Sequence, residues 1–61
     1  MSDEILTAAR LHELRKRKGW TQERLARDLG VANATVWRWE NGKTTISRAM
    51  AQLIRIKLAN T

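Results

Sequence analysis

At 61 residues the chain sits near the lower limit for independent folding, because a domain this small buries only about 60% of the surface its unfolded form exposes. Cys and Pro are absent, which excludes a disulfide framework and a Cys-based zinc site, so stability has to come from helix packing, helped where needed by a partner subunit. Twelve Lys and Arg against six Asp and Glu leave a formal net charge of +6, which draws the chain toward polyanions, with nucleic acid the first candidate and an anionic membrane surface the second.

The first predicted helix begins between Asp3 and Thr7 and runs to Lys18, with Leu11 and Leu14 as its surest core positions and Ile5 and Ala8 one or two turns earlier. Gly19 stops it. Its last turn, Arg15, Lys16, Arg17 and Lys18, suits the negative end of the helix dipole, and two compatible readings stand: a solvated helix end and a basic edge beside a nucleic-acid backbone. Trp20 comes next, placed to staple the following helix, and Thr21 is its N-cap. The second helix spans Gln22 to Leu29, with Leu25, Ala26 and Leu29 on one face, and Gly30 lets the chain leave it through positive φ. A third helix starts near Asn33, capped by Ala32 or Asn33, and stops at Asn41 and Gly42. Val36 and Trp39 face inward, which leaves Asn33, Ala34, Thr35, Trp37, Arg38 and Asn41 on or near the outer face.

After the loop GKTT, a fourth helix is predicted from Ser47 to Leu58, capped by Ser47 or Thr45. At about 100° per residue from Ile46, the side chains of Ile56, Ala49, Leu53, Met50, Ile54 and Leu58 sweep roughly 200° of its circumference. One core needs far less than that. Either the C-terminal turn frays with Ile56 and Leu58 partly exposed, or Ile54, Ile56 and Leu58 supply a dimer interface against a second copy.

The spacing within the middle helices has a steric reason. Two helices crossing steeply after a short turn bring their backbones close, so one contact position must be small and the turn must tolerate positive φ. Ala26 and Gly30 meet these two demands, and Val36 and Trp39 anchor the second helix of the pair. With them, the stretch from Leu14 to Gly42, LRKRKGWTQERLARDLGVANATVWRWENG, resembles the helix-turn-helix of the lambdoid repressor and Cro class of bacterial and phage DNA-binding proteins, the Cro/C1 or XRE family. The resemblance covers about two thirds of the chain well and the fourth helix loosely. It implies an all-α fold, a compact bundle of four short helices forming one lambda-repressor-like DNA-binding domain over residues 1–61.

The resemblance also implies roles. Asn33, Ala34, Thr35 and Arg38 match positions that reach base edges, with recognition helix Asn33 to Asn41 in the major groove. Asn33 can instead serve as a helix cap, and Arg38 as a solvated surface residue. Gln22 matches a phosphate contact at the start of the second helix, and Asn41, Lys43 and Thr44 match a phosphate-clamping loop. Trp37 is assigned to the sugar-phosphate backbone, with contact to a partner subunit or to the basic run of the first helix as open alternatives. Arg15 and Glu40 match a structural salt bridge between the first and third helices. Many relatives continue into a fifth helix and carry a proline after the WENG-type corner. Pro is absent here, and the wide apolar fourth helix is expected to stand in for a fifth by pairing across a two-fold axis.

The function expected is sequence-specific binding of double-stranded DNA at a palindromic operator by a homodimeric transcriptional regulator, a repressor, in the bacterial cytoplasm and nucleoid. The alternative is a protein-interaction, antitoxin or assembly module in which DNA binding is secondary. An enzyme is disfavoured, because His12 is the only His and Asp3, Glu4, Glu13, Glu23, Asp28 and Glu40 do not cluster at a spacing suited to acid/base or metal work. No catalytic residue, metal, cofactor or small-molecule ligand is implied. No apolar run approaches the roughly 20 residues of a spanning helix, and MSDEILTAAR is acidic before it is apolar, unlike a secretory signal.

Overall fold

The structure, a computed structural model, describes residues 6–59, which form four helices and no strand: α1 Ala8–Lys18, α2 Gln22–Leu29, α3 Asn33–Glu40 and α4 Arg48–Ala59. Local chemistry fixes most of these boundaries. Thr7 and Thr21 are N-caps in extended conformation whose hydroxyls accept from the Arg10 and Arg24 amides at 3.1 and 3.0 Å. Ser47 Oγ accepts from the Met50 amide at 3.2 Å at the start of α4. Each hydroxyl satisfies an amide that its own helix leaves without a partner. α3 differs, since its N-cap is Ala32, which has no side chain able to accept.

The first three helices end in one way. At Gly19, Gly30 and Gly42 φ is positive, and the glycine and its successor donate back into the last turn. After α2, for example, the Gly30 amide donates to Arg27 O at 3.2 Å and the Val31 amide to Ala26 O at 3.0 Å. These bonds use carbonyls that the helix cannot satisfy, and they require the left-handed backbone that glycine adopts without strain. The chain therefore turns sharply between α2 and α3.

The core takes one fully buried side chain from each helix: Leu11, Leu25, Val36 and Ile54. Ala26, Trp39, Ala51 and Leu58 join them from the helices, and Leu6 and Ile46 from the flanking segments. α3 packs against α1 and α2, and α4 lies against the same two helices. On α1 the inner face is set differently from the periodicity. Leu14 and Ala8 are half-buried, while Leu6, ahead of the helix, is 2% exposed. Ile5, expected on that face, lies outside the described residues.

Of Ile54, Ile56 and Leu58, the residues expected at a dimer interface, α4 buries two and leaves Ile56 on the surface. Ile54 and Leu58 are 0% and 5% exposed within this one chain. A side chain already buried in its own core has no surface left to give a partner. Ile56 is 64% exposed and Leu53 36%, and with exposed Ala49 they recur at helical spacing on the side away from the core. The apolar arc thus divides into an inner part that builds the core and an outer part that faces solvent.

Candidate nucleic-acid interface

The site is assembled around a carboxylate. Glu40, in the last turn of α3, has a side chain only 3% exposed, and donors from α1 and α2 converge on it. Arg15 donates from Nε to Glu40 Oε2 at 2.6 Å and from its terminal nitrogen to Oε1 at 3.0 Å, the paired geometry in which guanidinium and carboxylate match best. Gln22 Nε2 donates to Glu40 Oε1 at 3.0 Å, and His12 Nδ1 lies 3.1 Å from the same oxygen. A further Arg15 nitrogen donates to the Trp20 carbonyl at 2.7 Å. Burial by itself would raise the Glu40 pKa. The hydrogen bonds from Arg15, Gln22 and His12, with the Arg15 charge, outweigh it and hold the carboxyl at about 2.

This cluster ties α1 and the start of α2 to the end of α3, and so fixes how α3 is presented. Arg15 is 7% exposed, a buried member of the basic run, not a solvated one. Gln22, matched to a phosphate contact, spends one amide hydrogen inward on Glu40. Its second amide hydrogen and the free N–H groups of the first turn of α2 remain for an anion.

On the outer side of α3, Asn33, Ala34 and Arg38 are exposed and Trp37 is 47% exposed. Asn33 is the first helical residue with Ala32 as the N-cap, which removes the cap reading of Asn33. Thr35 is half-buried, toward the flank of this face. Asn41 is exposed but directs its Nδ2 to Trp37 O at 2.8 Å, closing the C-terminal turn. Lys43 and Thr44 are exposed in the loop that follows. Cations lie over the ring of Trp20, where the Arg24 guanidinium and the Lys18 amine stand 4.4 and 5.8 Å from the ring centre.

Charge separates the faces. Arg10 and Arg17 flank Glu13 on α1, Arg24 faces Asp28 on α2, and Glu40 is enclosed. The outer positions of α3 and the loop after it carry Arg38 and Lys43 and no carboxylate. The participation of His12 and Gln22 in the Glu40 cluster is not marked by any motif. The available signal is positional: His12 stands one turn before Arg15 and so shares its face of α1.

A family model described as helix-turn-helix matches residues 11–59, from within α1 to the end of α4. Neither the curated proteins nor the solved structures contain a match to the chain.

Proposed function

The chain belongs to the Cro/C1-type helix-turn-helix family of DNA-binding proteins, and from that premise we propose that it is a sequence-specific transcriptional regulator, a repressor that binds a palindromic operator as a homodimer. The observation that carries the reading is the outer face of α3, which offers Asn33, Ala34 and Arg38 to solvent with cationic and amide groups around them and no competing carboxylate. Asn33 pairs in both directions with adenine, and Arg38 with the two major-groove acceptors of guanine. Thr35 borders this set. Gln22, Asn41, Lys43 and Thr44 hold phosphates on either side and set the register of the helix in the groove. Repression follows from occupancy of DNA that polymerase needs.

Two half-sites about one helical turn apart require two copies of α3. Ala49, Leu53 and Ile56 form the apolar stripe through which the subunits pair, in place of the core residues Ile54 and Leu58. Among the described residues no helix is long and apolar enough to cross a membrane. The protein acts in the cytoplasm, on the nucleoid.

Selection of binding sites from random duplex DNA tests the reading. A recovered palindrome with half-sites one turn apart is the expected result. Enrichment of no sequence, with only salt-sensitive binding, overturns it.

A further inference from the structure

Resting on the reading that α3 lies in the major groove, we propose that Trp37 is a specificity-determining residue whose indole covers the 5-methyl group of thymine beside Ala34. Ala34, Trp37, Arg38 and Asn41 follow the i, i+3, i+4, i+7 spacing of a single helix face, and all four are exposed. That row lies opposite buried Val36 and Trp39; at about 100° per residue Ala34 and Asn41 stand at its centre, and Trp37 flanks Ala34 on the side toward Asn33. A helical side chain leans toward the N-terminus and covers the surface one turn before its own Cα. For Trp37 that surface is Ala34, whose single methyl leaves room for the indole.

The charge around the exposed indole limits what it can meet. Arg38 on the same row and Lys43 just beyond favour a polyanion over an apolar protein surface, and Glu40 is enclosed. Within the major groove, the apolar feature on a base edge is the thymine methyl. Asn33 and Arg38 read hydrogen-bonding edges; Trp37 and Ala34 read a methyl. Together they distinguish T·A from the other pairs at a position that the polar residues leave unread.

The test uses the selected operator, with each thymine of a half-site replaced in turn by uracil, which removes the methyl and nothing else. Affinity is measured at fixed salt for the wild type, Trp37→Phe and Trp37→Ala. At one or more thymines, uracil weakens the wild type about fourfold, the loss expected for one buried methyl-sized group. Trp37→Phe keeps part of that penalty, and Trp37→Ala loses it while binding thymine DNA more weakly. Melting temperatures within about two degrees of the wild type show that the variants remain folded.

Indifference of the wild type to every uracil overturns the proposal. So does a uracil penalty of equal size in Trp37→Ala, because the methyl is then read elsewhere and Trp37 touches only backbone or a partner subunit. Failure to enrich any operator overturns the regulator reading as well. An enriched operator with no Trp37-dependent uracil penalty overturns this inference alone.

Discussion

Glu40 and Arg38 stand on the same helix under opposite conditions. The Glu40 side chain is 3% exposed and takes hydrogen bonds from Arg15, Gln22 and His12, whereas Arg38 is exposed on the outer row with Ala34, Trp37 and Asn41. One side of α3 is over-determined, since Glu40 is held at once by side chains from α1 and α2. The other side has no comparable burden. An eight-residue helix can therefore be held in place by its inner side and changed on its outer side at little cost to the fold.

The largest effect comes from breaking the inner side. Glu40→Ala leaves the Arg15 guanidinium buried without its countercharge, a loss of about 3 to 5 kcal/mol. A core of this size supplies roughly that much in total. The variant is expected to be unfolded at 25 °C by circular dichroism, and replacing Arg15 and Glu40 together by apolar residues of similar size should recover most of the loss. Acid reaches the same group without mutation. The folded carboxyl sits at about 2 against an ordinary 4.5, so folding favours the ionised form. That contribution is complete above pH 4.5 and is lost as pH falls toward 2, about 3 kcal/mol in all. Urea unfolding midpoints measured across this interval should fall, and a flat profile would mean that the cluster contributes nothing to folding.

Breaking the outer side should leave stability alone. Arg38→Ala removes an exposed side chain, so its melting temperature is expected to stay close to the wild type, while affinity for the selected operator falls by about 1 to 3 kcal/mol. Binding to random DNA should change far less, because only the phosphate attraction acts there. Equal losses on operator and random DNA would place Arg38 on the backbone instead of a base.

The two regions also differ in how far they can be read before folding. The limits of α2 follow from Thr21 and Gly30, since a cap and a left-handed exit are local devices that depend on neighbouring residues. Val36 and Trp39 are readable as the inner face because apolar residues three apart share one side of a helix. The Glu40 cluster is not local: Gln22 and His12 meet it across 18 and 28 positions of sequence, and polar side chains carry no periodic signature. The resemblance supplies Arg15 and Glu40 as a pair but treats Gln22 as a phosphate contact alone. For α4 the composition shows too much apolar surface for one core. Which part faces inward depends on the rotation of the helix against α1 and α2, and that rotation places Ala51, Ile54 and Leu58 inside with Leu53 and Ile56 outside.

The smallest effect belongs to the corner that joins the two regions. Gly30 has φ +76, and a Cβ built there meets no atom within 4 Å. Gly30→Ala therefore introduces no clash, and its penalty is the torsional cost of left-handed backbone, about 1 to 2 kcal/mol. Alanine also restricts the unfolded chain, which returns about 0.4 to 1 kcal/mol. The net loss is about 1 kcal/mol, visible as a drop of several degrees in melting temperature. If the Glu40 cluster sets the angle between α2 and α3, the folded Gly30→Ala protein should bind its operator as tightly as the wild type. A matching loss of affinity would show that the turn itself, and not the cluster, holds α3 at its reading angle.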